Sequence, residues 1–79
     1  MREKTLKPVL TFATTSDAMA MEAAARAYGI PGRIIPVPSE IDAGCGLSWC
    51  AGADEKEALL AGVAEHNISY EGLFEVLLY

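Results

Sequence analysis

The sequence predicts an α+β domain: a four-stranded antiparallel sheet with two helices on one face. Short apolar segments with strand character alternate with two alanine-rich segments of helical spacing, in the order βαββαβ. Pro36 and Pro38 lack backbone N–H groups on the same side of the second strand, which predicts an edge strand. Right-handed crossovers then give the ferredoxin-like split βαβ arrangement, with strands one and three in the centre of the sheet.

The first half has clear start and stop signals. Residues 7–14 are apolar and β-branched and predict the first strand, and residues 15–17 (Thr-Ser-Asp) offer N-cap side chains for a helix over residues 18–28. Gly29 predicts the end of that helix, and residues 33–38 the second strand. The predicted buried stripe of the helix consists of Ala18, Met21, Ala25 and Tyr28.

The second half repeats this order after a polar loop over residues 39–44. Residues 47–51 predict a third strand, with Leu47, Trp49 and Ala51 on one face and Ser48 and Cys50 on the other. Asp54 and Glu57 resemble a capping box at the start of a second helix. That helix ends at His66-Asn67, and its predicted apolar face consists of Leu59, Leu60, Val63 and Ala64. Residues 71–79 predict the fourth strand.

Length and composition narrow the functional classes. Residues 1–79 make one small domain, and the 52% hydrophobic content is ample for a core. The net charge is −5 without a basic stripe, so nucleic acid is not an expected partner. The chain shows no apolar run of membrane-span length and no signal-peptide pattern, so we expect a cytoplasmic protein with its two cysteines reduced.

Most catalytic and metal-binding patterns are missing from the sequence. It has no Cys-x-x-Cys pair, no phosphate-binding glycine loop and no convincing set of metal ligands, so no metal or cofactor is expected. Cys45 and Cys50 would face opposite sides of a strand, roughly 16 Å apart, whereas a disulfide needs Cα atoms within about 7 Å. Each thiol is therefore interpreted alone, and Cys50 is interpreted as a packing residue.

Cys45 is the candidate for chemistry because it lies between Gly44 and Gly46, which leave it sterically open. Backbone N–H groups of such a turn can stabilise a thiolate or a persulfide anion. Three further side chains would help if they fold nearby: Ser39 and Ser48 as hydrogen-bond donors and Arg33 as a positive charge. The alternative is that both glycines serve only a tight turn and that Cys45 has no reactive role.

Several short motifs follow one another along the chain: Thr11-Phe12, Ser16-Asp17-Ala18 and Glu22, then Ile30-Pro31, Ile35-Pro36-Val37-Pro38 and the run from Ile41 to Gly46. In these motifs the chain resembles the putative selenium/sulfur carrier protein-like family of small single-domain proteins. The resemblance covers essentially the whole chain. It implies a carrier in which Cys45 holds sulfur or selenium as a persulfide or perselenide.

Two functions therefore compete at this point. In the first, Cys45 accepts a sulfur or selenium atom from a donor protein and relays it to an acceptor, as a carrier rather than a complete enzyme. In the second, a non-catalytic ferredoxin-like module forms a homodimer or binds a small ligand through its sheet. The residues considered for the exposed sheet face are Leu47, Trp49, Leu73, Leu77 and Tyr79.

Overall fold

The predicted fold class is confirmed by a computed structural model, which describes residues 4–41 and 45–78. A 3-10 turn, Ala53–Glu55, precedes the second helix. The other elements are β1 (Thr5–Thr11), α1 (Thr15–Tyr28), β2 (Arg33–Pro36), β3 (Leu47–Cys50), α2 (Lys56–Glu65) and β4 (Gly72–Leu78).

The strands form one sheet in the order β2-β3-β1-β4, and each neighbouring pair is antiparallel. The prediction that β2 is an edge strand and that β1 and β3 are central is confirmed. β2 ends at Pro36 and does not extend to Pro38. Pro36, the last residue of β2, lacks a backbone N–H in a strand that has a neighbour on one side only.

The two faces of the sheet carry separate apolar clusters. The helix-side cluster joins both helices to the sheet and has Phe12, Leu10, Met21 and Leu59 fully buried at its centre. The open-face cluster lies on the opposite side and consists of Val9, Ile41, Cys50 and Val76, with Ile35, Val37 and Leu78 packed against it. Alternation along the strands produces this division, since neighbouring side chains point to opposite faces.

Helix α1 starts three residues earlier than predicted. The side chain of Thr14, not one from residues 15–17, caps the helix by accepting a hydrogen bond from the Asp17 N–H at 3.1 Å. The end at Gly29 is confirmed, with a left-handed φ of 71°. Tyr28 was wrongly assigned to the buried stripe: its side chain is exposed and its ring stacks on His66, with the ring centroids 3.7 Å apart.

The side-chain cap before the second helix belongs to the 3-10 turn and not to α2 itself. The predicted capping pair Asp54 and Glu57 is wrong: the Glu55 carboxylate accepts the hydrogen bond from the Gly52 N–H at 2.8 Å. The 3-10 turn shifts the cap by two residues, because it precedes the first turn of α2. Ala64 is exposed rather than part of the apolar face, whereas Leu59 and Val63 are buried as predicted.

The residues considered for an exposed sheet face are mostly elsewhere. Trp49 is buried in the helix-side cluster, and Leu47 and Leu73 pack against that same cluster. The Trp49 indole N–H donates to the Pro31 carbonyl at 2.9 Å, which satisfies its polar group inside the core. Leu77 is exposed, and Tyr79 lies outside the described residues.

Candidate functional site

Cys45 lies at the end of the sheet where β1 ends and β3 begins. Its backbone N–H donates to the Phe12 carbonyl at 3.0 Å, and the carbonyl of the next residue, Gly46, accepts from the Val37 N–H at 3.1 Å. The chain at Cys45 is thus attached to the segments that follow β1 and β2. These two hydrogen bonds fix the backbone that carries the thiol.

The Cys45 side chain is half-buried and packs against the helix-side cluster. Its Sγ is 3.9 Å from the Leu47 carbonyl oxygen, to which the thiol donates. A sulfur–carbonyl distance of this length is a weak hydrogen bond. The position combines a fixed backbone with a side chain that is partly accessible.

The N-terminus of α1 begins at the same end of the sheet. The Phe12 carbonyl that binds Cys45 lies two residues before the Thr14 cap. The first turn of a helix carries partial positive charge and favours nearby anions, although Asp17 in that turn offsets part of it. The Cys45 backbone therefore lies beside the segment that leads into this 14-residue helix.

Of the two glycines that flank Cys45, the structure describes Gly46. Gly46 has a φ of +98°, which L side chains rarely adopt, and no atom lies within 4 Å of where its Cβ would be. Glycine is therefore required there by the backbone conformation, and the space around it is open. Gly44 lies outside the described residues.

The three predicted helper side chains are not placed at Cys45. The Ser39 hydroxyl donates to the Glu40 carboxylate at 3.0 Å. Ser48 is fully buried and its hydroxyl donates to the Ile35 carbonyl at 3.3 Å. Arg33 stands opposite Cys50 in the β2–β3 register.

Cys50 is the second thiol and lies on the open face of the sheet, in a different cluster from Cys45. It is buried, and its thiol donates to the Ala51 carbonyl at 3.5 Å. Burial raises the pKa of the Cys50 thiol, and the charges of Lys7 and Arg33 act against that rise. The side chain was interpreted from sequence as packing only, and the two cations around it were missed because they come from other strands.

The raised pKa of Cys50 predicts a loss of stability at alkaline pH. The folded state keeps the thiol proton at pH values where the unfolded chain has lost it. The stabilising contribution is therefore complete below the ordinary pKa of 9.0 and declines as the pH rises through the raised value. Urea unfolding between neutral and alkaline pH should give a steeper decline for the wild type than for Cys50→Ala. Equal slopes would contradict the assignment.

Metal and membrane sites were also sought in the described residues. Within residues 4–41 and 45–78, no group of three or more His, Cys, Asp or Glu side chains is arranged to hold a metal ion. Across the same ranges, no helix combines the length and the apolar character needed to cross a bilayer.

The fold and the site together define a small ferredoxin-like domain that presents one half-buried thiol at the end of its sheet. The family described as "Putative Se/S carrier protein-like" matches residues 7–75, and the chain belongs to this family. The resemblance inferred from the sequence is thereby confirmed. No curated protein and no solved structure matches the chain.

Proposed function

We propose that the domain is a sulfur or selenium carrier that holds a persulfide or perselenide on Cys45 and relays the atom to a partner protein. The observation that carries the proposal is the position of Cys45: a partly accessible thiol on a fixed backbone at the α1 end of the sheet. Membership of the family supports the same class of cargo.

The relay is a pair of redox-neutral exchanges between thiols. The Cys45 thiolate attacks the terminal sulfur of a donor persulfide; a new S–S bond forms, the donor's S–S bond breaks, and the donor leaves as a thiolate. An acceptor thiolate then attacks the terminal sulfur held on Cys45, and Cys45 leaves as the thiolate. Selenium would follow the same steps. The domain acts as a carrier rather than an enzyme, and the exchange uses no cofactor.

The protein partners implied by this role are a donor that bears a persulfide and an acceptor that bears a free thiol. Persulfide transfer between proteins needs reduced thiols, which fits a cytoplasmic location. The N-terminus of α1 would favour the terminal anion while the cargo is held.

The test is mass spectrometry of the intact protein after incubation with a cysteine desulfurase and cysteine. Wild type should gain the mass of one sulfur atom, and peptide mapping should place it on Cys45. Cys50→Ser is the matched control and should load like the wild type, whereas Cys45→Ser should gain nothing. Absence of an adduct in the wild type, or equal loading of Cys45→Ser, would refute the proposal.

Selenium is tested in the same way, with a selenocysteine lyase and selenocysteine as the donor system. The relative loading of the two atoms at equal donor concentration then shows which cargo the domain prefers.

A second candidate is a non-catalytic module that forms a homodimer through the open face of the sheet. The observation in its favour is the apolar character of that face, where Phe74 on β4 remains 38% exposed. Sedimentation of wild type and Phe74→Glu over a range of concentrations tests it. A dimer that Phe74→Glu dissociates, in a protein that never loads Cys45, would favour this candidate.

A further inference from the structure

Two neighbouring cavities lie at the open face of the sheet, and Arg33 and Cys50 line both. One has a volume of about 290 Å³ and extends from these residues toward Lys7 and Gly52. The other has a volume of about 420 Å³ and extends along the edge strand and Leu78. The volume of the larger cavity is within the range usual for small-molecule sites, about 300 to 1,000 Å³, and that of the smaller cavity lies just below it.

The smaller of the two cavities is lined by positively charged side chains. Arg33 and Lys7 contribute positive charges to its lining. Glu55 is the acidic residue of that lining, and its carboxylate already accepts the hydrogen bond from the Gly52 N–H. Among the residues that the structure describes, no carboxylate forms an ion pair with the Arg33 guanidinium. A guanidinium in this position can bind a ligand carboxylate through two parallel hydrogen bonds.

The larger of the two cavities is lined mainly by apolar side chains. Its walls include the side chains of Ile35, Val37 and Leu78, which also pack against the open-face cluster. Glu40 lies at this cavity too, but it is exposed and its carboxylate accepts a hydrogen bond from Ser39. An apolar chain placed here would be removed from water by contact with these side chains, which favours binding.

The edge strand favours a small molecule over a second polypeptide strand as the occupant. Pro36 and Pro38 line the larger cavity and lack the N–H groups through which an added strand would pair. Proline also fixes its own φ, so the cavity wall is formed by stiff backbone. A ligand held by its charge and its apolar surface needs no such pairing.

We propose that the open face binds a small carboxylate with an apolar chain, the carboxylate at Arg33 and the chain along Ile35, Val37 and Leu78. The Cys50 thiol lies where the two cavities meet and stays uncharged, so it packs against the ligand without reacting. This site is separate from Cys45 and independent of the proposed relay.

Isothermal titration with octanoate, below its micelle concentration, tests the site. Octan-1-ol carries the chain without the charge, and acetate carries the charge without the chain. Octanoate should bind saturably to the wild type. Octan-1-ol should bind at least about tenfold more weakly because it cannot form the charge-assisted hydrogen bond, and acetate at least about tenfold more weakly because it buries no apolar chain. Equal binding of octanoate and octan-1-ol would refute the charged end of the site.

Variants separate the site from general surface effects. Arg33→Gln should weaken octanoate binding about tenfold. Lys56→Gln is the matched control, because it removes one positive charge from α2 on the other face, where Lys56 pairs with Glu75. Undiminished binding by Arg33→Gln, or equal weakening by Lys56→Gln, would overturn the proposal.

Accessibility of Cys50 gives a second readout that calorimetry does not. In a Cys45→Ser background, bound octanoate should slow alkylation of Cys50 by N-ethylmaleimide, and octan-1-ol at the same concentration should not. The same variant separates the two proposals. Octanoate should bind Cys45→Ser as tightly as it binds the wild type, and sulfur loaded on Cys45 of the wild type should not change that affinity. Alkylation unaffected by octanoate would place any binding elsewhere and overturn the assignment.

Discussion

Replacing Phe12 by alanine is expected to lower the free energy of unfolding by about 3 to 5 kcal/mol, the usual cost of such a truncation in a packed core. Phe12 is fully buried and is among the largest side chains of the helix-side cluster. A domain of 79 residues has a total stability of about 4 to 12 kcal/mol, so the substitution would remove much of it. Urea unfolding followed by circular dichroism measures the loss.

Phe74→Ala is the matched control for this prediction, because Phe74 is 38% exposed on β4 and should cost distinctly less. Phe12→Leu tests whether the core defect affects Cys45. It keeps most of the apolar volume, and the backbone carbonyl of residue 12 can still accept the Cys45 N–H. We expect it to retain sulfur loading on Cys45. A loss below about 1 kcal/mol for Phe12→Ala would contradict the central place of this residue in the core.

The fold was predictable because the local signals agreed with one another. Pro36 marks an edge strand in the sequence, and the sheet order places β2 at the edge. Gly29 and Asn67 take the left-handed conformation that their residue types favour at helix ends. Element starts were less predictable: Thr14 caps α1 in place of residues 15–17, and a 3-10 turn that starts after Gly52 precedes α2.

The sequence indicates Cys45 as the candidate thiol, but it does not indicate which groups surround each of the two thiols. Cys45 between two glycines is visible in the chain itself. The partners of each thiol depend on strand register: the β2–β3 pairing sets Arg33 opposite Cys50, and the chain folds Phe12 against Cys45. Which residues lie opposite one another depends on how the strands pair in the folded sheet, and a one-residue shift would turn every side chain of a strand to the other face.

The two thiols lie on different parts of the domain. Cys45 lies with the helix-side cluster at one end of the sheet, and Cys50 lies on the open face between two cations. A partner protein that reaches Cys45 therefore need not cover the cavities at Cys50. The proposed relay and the proposed carboxylate site therefore make separate predictions, and a substitution at Cys45 or at Arg33 tests each one alone.

Gly32→Ala should be among the most destabilising single-methyl additions in the chain, at about 2 to 5 kcal/mol. Gly32 has a φ of +120°, and a Cβ there would lie 2.7 Å from the Cys50 carbonyl oxygen and 2.9 Å from Cε2 of Trp49. It would approach the indole nitrogen more closely still, and that nitrogen donates to the Pro31 carbonyl in the core. Neither the backbone of β3 nor the buried ring can move without disturbing the sheet.

Gly29→Ala separates the two causes of that loss. Gly29 also has a positive φ, of +71°, but no atom lies within 4 Å of its added Cβ, so this variant should cost only the backbone penalty of about 1 to 2 kcal/mol. Trp49 is the chain's one tryptophan, so its fluorescence during urea unfolding reports both the stability and the surroundings of the displaced ring. Equal losses in the two variants, or an unchanged Trp49 emission in folded Gly32→Ala, would show that steric contact with Trp49 contributes nothing. A larger loss of stability in Gly32→Ala than in Gly29→Ala, together with a shifted Trp49 emission, would establish that Gly32 lets the edge strand approach β3 beside Cys50.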